Sequence, residues 1–113
     1  MNSPPGPLVV GLSGPRLTAQ EREILTHPLI GGVILFERNH ESPEQLRALI
    51  AALRAVRAWL LVTVDQEGGR VQRLRAGFTR LPPLGWLGEV HERTPNDALA
   101  AARELGWLMA TEL

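Results

Sequence analysis

Asp65 and Glu67 stand two positions apart at the end of an apolar run, Leu60 to Val64, and Gly68, Gly69, Arg70 and Arg73 follow at once. Acids and guanidiniums gathered at the end of a buried strand are costly to desolvate unless they meet partners, so residues 65–73 read as a ligand-contacting loop. Two carboxyls about 5 Å apart serve retaining glycosidases, and side chains two apart in an extended segment point the same way. Such acids flank a sugar from different strands, however, and two from one short loop would struggle to bracket a ring. Asp65 therefore reads as a binding residue. Glu67 reads as a scaffold acceptor for backbone amides or for Arg70. Gly68-Gly69 suggests a backbone concavity for an anion, with Arg70 or Arg73 clamping a carboxylate or phosphate, while the alternative for Arg70 is a pair with Glu67. The G-x-x-x-x-G-K phosphate loop is missing, and no serine, histidine and acid fall into a recognisable triad spacing.

The elements that must position this loop follow from the apolar runs. Pro7 to Leu12 reads as a first buried strand, closed by Ser13-Gly14-Pro15. Thr18-Ala19-Gln20-Glu21 has the form of a capping box for a short helix that Pro28 stops near His27. Gly31 to Phe36 lacks polar alternation and predicts a second strand covered on both faces. Ser42-Pro43-Glu44-Gln45 opens a crossover helix whose Leu46, Leu49, Ile50, Leu53 and Val56 share one face. Leu60 to Val64 is the third strand. Phe78 to Gly88 reads as an irregular crossing loop, and Thr94-Pro95 starts a last helix with Leu99, Ala102, Leu105 and Met109 as its inner stripe. The sum is an α/β chain with parallel strands and a polar loop after each. His27 reads as a capping or surface residue, His40 and His91 as solvated, and Trp59, Trp86 and Trp107 as packing residues.

Composition excludes several classes of chemistry. The chain has 113 residues, the size of one small domain, and its twelve basic and twelve acidic residues cancel, leaving no footprint for nucleic acid or an anionic membrane. Every basic residue is arginine, so the chain supplies no Schiff-base or phosphate-loop lysine. The lack of cysteine removes disulfides and thiolate metal sites and fits a reducing compartment. Met1 to Gly6 lacks the basic end and apolar core of a signal peptide, and no apolar run approaches the roughly 20 residues that span a bilayer. A cytoplasmic location is the expectation.

Val64-Asp65-Gln66-Glu67-Gly68-Gly69-Arg70-Val71-Gln72-Arg73, with His27-Pro28-Leu29-Ile30-Gly31-Gly32-Val33-Ile34-Leu35-Phe36 and Arg38-Asn39 before it, closely resembles the N-terminal part of bacterial family 3 glycoside hydrolases. The likeness runs from about Leu8 to Leu113 and includes Phe78-Thr79-Arg80-Leu81-Pro82 and Gly106-Trp107-Leu108-Met109-Ala110. It is nearest to the cytoplasmic β-N-acetylhexosaminidase branch of peptidoglycan recycling. The resemblance implies an N-terminal portion, about three βα units, of a TIM-type (β/α)8 barrel, with residues 1–113 forming a partial barrel domain. It implies retaining hydrolysis that frees terminal N-acetylglucosamine from muropeptides, with no cofactor, nucleic acid or membrane partner. The family's aspartate nucleophile and histidine acid/base belong to later motifs that do not occur here, so no catalytic residue is assigned and the chain alone is expected to be inactive. Asp65 and Arg73 match the family's substrate-binding residues. Gly11 departs from the pattern, since relatives often carry an aspartate there. A non-catalytic sugar-binding or interaction module and a β-glucoside specificity remain as alternatives.

Overall fold

The strand β2, Ile30–Leu35, is buried at every position but Ile34, and it lies between two parallel neighbours, β1 (Leu8–Gly11) and β3 (Leu61–Val64). A run of apolar residues without alternation demands cover on both faces, and β2 has it. Gly32 permits the close approach of β3: a Cβ there would lie 2.8 Å from the carbonyl oxygen of Leu61. The computed structural model describes residues 5–113, so the Met1 to Pro4 part of the leader reading lies outside the described residues. The chain forms two compact units, one ending at Asp65 and the other running from Gln66 to Leu113.

In the first unit β1 is less buried than its composition predicts. Leu8 is 48% exposed and Val9 50% exposed, in an outer strand that pairs only with β2. Leu61, at the start of the other outer strand, is likewise exposed. The helix α1, Ala19–Leu25, begins with the predicted capping box: Thr18 Oγ1 accepts from Glu21 N (3.1 Å) and Glu21 Oε2 accepts from Thr18 N (2.8 Å). The other oxygen of Glu21 takes the amide and hydroxyl of Ser13, at 2.7 and 2.8 Å, so one carboxylate ties the β1–α1 loop to the start of the helix. The helix α2, Pro43–Val56, presents Leu46, Leu49 and Leu53 to the core, with Ser42 capping it through Gln45 N.

Arg57, just after α2, holds the opposite end of the sheet. Its Nη1 donates to the carbonyls of Leu25, His27 and Ile30 at 3.2, 2.8 and 3.0 Å, and its guanidinium stacks 3.8 Å from the ring of Trp59. Free carbonyls at the end of α1 are thus satisfied by a cation from 30 residues away. Trp59 is therefore a partner for a surface arginine, 43% exposed, and not the packing residue expected. Trp86 and Trp107 are also exposed, at 42% and 65%.

The second unit opens with a small antiparallel ribbon, β4 (Gln66–Gly68) and β5 (Val71–Gln72), which the sequence did not announce. Residues 73–84 are irregular, but the predicted loop from Phe78 to Gly88 is cut short by a helix, α3, at Gly85–Arg93. Three glycines and two prolines hid that helix, and it has no side-chain cap. The last helix, α4, spans Pro95–Glu112 and packs against α3. Of its predicted inner stripe, Leu105 and Met109 hold, while the first turns are shifted by one residue. Ala98 is buried while Leu99 is 63% exposed, and Ala101, Leu105, Leu108 and Met109 are half-buried where Ala102 is exposed. Residues 98–102 are all apolar, so periodicity there could not select a face.

Two consequences are measurable. Leu53, fully buried on α2, should cost about 2–5 kcal/mol when replaced by alanine, read as a drop in the denaturation midpoint. Partial burial by itself would raise the Glu21 carboxyl, but hydrogen bonds from Ser13 and Thr18 outweigh it and pull it from 4.5 to about 2. A folded-state value below the unfolded one contributes stability that is complete above about pH 4.5 and is lost as pH falls through 2. Glu21→Gln should remove that contribution at neutral pH and flatten the acid limb of a stability–pH curve between those two values.

Candidate functional site

The three parallel strands end together. Gly11 is level with Ile34, and Leu35 with Val64, so Leu12, Phe36 and Asp65 lie at or just past one carboxyl edge. In parallel α/β folds this is the edge at which ligand-contacting loops gather. Asp65 is half-buried and follows β3 directly, as the sequence implied.

The loops on this edge of the first unit are pinned by side-chain amides. Asn39 is fully buried; its Oδ1 accepts from Phe36 N (2.8 Å) and its Nδ2 donates to the carbonyls of Leu12 (3.2 Å) and Gly14 (2.8 Å). Gln45 adds bonds from its Nε2 to Pro15 O and Asn39 O, and its Oε1 accepts from Glu41 N. Arg38 lies in the same turn, with its Nε donating to Leu12 O (2.8 Å) and its guanidinium 4.6 Å from the centre of the Phe36 ring. The β1–α1 and β2–α2 loops are thereby one rigid surface. His40, expected to be solvated, is half-buried, and burial pushes its imidazole below the usual value, toward the neutral form. His91 is exposed, as expected. His27 is exposed too, and its Nδ1 accepts from Leu29 N.

In the second unit the scaffold is not Glu67. That residue is exposed and forms neither a hydrogen bond nor an ion pair with Arg70, which is exposed as well. The buried pair Gln66 and Gln72 does the work assigned to it. Gln66 brackets Leu74, accepting from its N (3.0 Å) and donating to its O (2.9 Å). Gln72 accepts from Leu81 N (2.9 Å) and donates to Leu74 O (3.1 Å) and Thr79 O (2.9 Å). Gly68 and Gly69 have φ of +86° and +57°, the left-handed region that glycine tolerates. They do not form an open anion concavity. Gly69 N donates to Leu81 O (2.9 Å), and a Cβ on Gly69 would lie 2.9 Å from that of Pro83. Arg73 emerges just past β5, half-buried and with its Nε buried. The alternation of Gln66 and Gln72 with exposed Glu67 and half-buried Arg73 is the signal that could have revealed the amides as the inward set.

A parallel βαβαβ sheet with its polar loops on the carboxyl edge is the opening of a TIM-type barrel, and the loop at Asp65 marks which kind. The chain belongs to the glycosyl hydrolase family 3 N terminal domain, whose model matches residues 7–113. Among curated proteins it is similar to a β-hexosaminidase of Alkalilimnicola ehrlichii, 60% identical over 109 residues, which cover 96% of this chain and 31% of the relative. A β-hexosaminidase of Nitrosomonas eutropha is 55% identical over the same shares. Among solved structures, NagZ from Neisseria gonorrhoeae in complex with N-trifluoroacetyl-D-glucosamine superposes with a TM-score of 0.92 at 43% identity, over 96% of this chain and 33% of that one. The chain therefore spans about a third of the length of the relatives it matches. Among the described residues no helix is long and apolar enough to cross a membrane.

The amide pins can be tested directly. Gln72→Ala strips the side-chain partner from the buried Leu81 N–H and from Thr79 O, while Leu74 O keeps its bond from Gln66, and each buried group left unpaired costs about 1–3 kcal/mol. The variant should lose at least about 2 kcal/mol in denaturant unfolding, and Glu67→Ala, at an exposed site, should stay within about 0.5 kcal/mol.

Proposed function

We propose that residues 1–113 are the N-terminal part of the barrel domain of a β-N-acetylhexosaminidase that releases N-acetylglucosamine from cell-wall muropeptides in the cytoplasm. The observation that carries this reading is Asp65, held at the carboxyl end of β3 within a chain 60% identical to a β-hexosaminidase. As the family resemblance implies, Asp65 accepts hydrogen bonds from sugar hydroxyls and Arg73 acts as a hydrogen-bond donor to the substrate. A carboxylate suits sugar hydroxyls because charge-assisted hydrogen bonds are about twice as strong as neutral ones. The covalent nucleophile and the acid/base are supplied by segments other than residues 1–113. The β-hexosaminidase names of the relatives favour an N-acetylated substrate over a β-glucoside.

The test has two parts. Purified 113-residue protein should give no turnover of a chromogenic N-acetylglucosaminide, and measurable hydrolysis would overturn the placement of the catalytic pair. In a chain of family length, Asp65→Ala should lower kcat/KM for that substrate at least tenfold, a loss of about 1.4 kcal/mol in transition-state binding. An unchanged kcat/KM would remove Asp65 from the subsite.

A further inference from the structure

Within the second unit the irregular stretch after β5 is fastened from two directions. Gln72, fully buried, donates from Nε2 to Thr79 O (2.9 Å) and accepts at Oε1 from Leu81 N (2.9 Å). The second fastening comes from the last turn of α4. The Glu112 carboxylate accepts from Thr79 N at both oxygens, at 3.2 and 3.0 Å, and from the Thr79 hydroxyl at 2.6 Å. A residue 33 positions further along the chain thus takes the amide and hydroxyl of Thr79, while Gln72 takes its carbonyl.

Residues 73–78 form a loop that Gln72 and Thr79 close, and Arg73 is its first residue. Inside the loop Arg75 Nε donates to Gln72 O (2.9 Å) and Phe78 N donates to Arg75 O (3.1 Å). On the other side of Arg73, Leu74 is held at N and O by Gln66. The backbone that carries Arg73 is therefore only as fixed as the point where the loop closes. Thr79 is exposed, so water competes for its amide and hydroxyl. A carboxylate competes well with water there, because charge-assisted hydrogen bonds are about twice as strong as neutral ones.

We infer that Glu112 is a positioning residue for substrate binding: by clamping Thr79 from α4 it fixes the 73–78 loop and, with it, the half-buried Arg73. An arginine on a fixed backbone loses less entropy when it meets a ligand. The role of Arg73 toward substrate rests on the proposed sugar subsite; the hold of Glu112 on the loop rests on the hydrogen bonds alone.

Glu112→Ala, Glu112→Asp and Glu112→Gln test this. Oε1 by itself reaches both the amide and the hydroxyl of Thr79, so a glutamine carbonyl replaces it, whereas aspartate is one methylene too short. In the isotope-labelled 113-residue chain, Glu112→Ala should speed hydrogen exchange at the Thr79 amide about tenfold and lower the NMR order parameter of the Arg73 Nε–H. Glutamine should restore both and aspartate neither. In a chain of family length, Glu112→Ala should raise KM for a chromogenic N-acetylglucosaminide about threefold with kcat within about twofold, and Glu112→Gln should match the parent. A role in stability alone would lower the denaturation midpoint and leave both KM and the Arg73 order parameter unchanged, which overturns the inference. Arg73→Ala is the control on the sugar reading. If that variant keeps the parent KM, the subsite assignment fails, and the coupling of Glu112 to Arg73 is still decided by the Nε–H measurement.

Discussion

Buried side-chain amides pin the irregular loops within each of the two units of this chain. Asn39, Gln66 and Gln72 are each at most 6% exposed, and each satisfies backbone groups that no strand or helix pairs. A loop brought into the interior carries N–H and C=O groups that must find partners, and an amide offers donor and acceptor from one neutral group. A carboxylate in the same place would add a desolvation cost. The loops are therefore stiff without being regular, which is what a binding surface built on loops requires.

The same logic divides the charged residues. Those that act on the backbone, such as Glu21 toward Ser13 and Thr18 or Arg57 toward three carbonyls, lie where a helix or strand end leaves groups unpaired. Asp65 follows the carboxyl end of β3 directly, and Arg38, in the turn after β2, donates to Leu12 O. At the amino ends of the strands Arg57 stacks on Trp59 and donates to Ile30 O.

Much of the first unit was legible in the residues themselves. The β2 run, the Thr18–Glu21 box and the Ser42-Pro43 start all carry local signals strong enough to survive any tertiary context. The second unit was less so. A helix beginning at Gly85 has no cap and poor propensity, and α4 is apolar on so many sides that its buried face could not be read from spacing. Packing of α3 against α4 decides both. The reading of Glu67 failed for a related reason: charge drew attention, while the structural role fell to the neutral glutamines on either side of it.

The sequence by itself determined the parallel α/β class, the strand that carries Asp65 at its end, and the family, because hydrophobic runs and a dense nine-residue motif are local properties of the chain. Only the tertiary structure decided how the Asp65 stretch is held. The two glycines shape the turn and do not cradle an anion, since Gly69 N is already spent on Leu81 O. The partners of Gln66, Gln72 and Asn39 lie two to 27 residues away along the chain, as does the approach of Arg38 to Gly11. Such contacts depend on register and loop closure, which no spacing of residue types encodes.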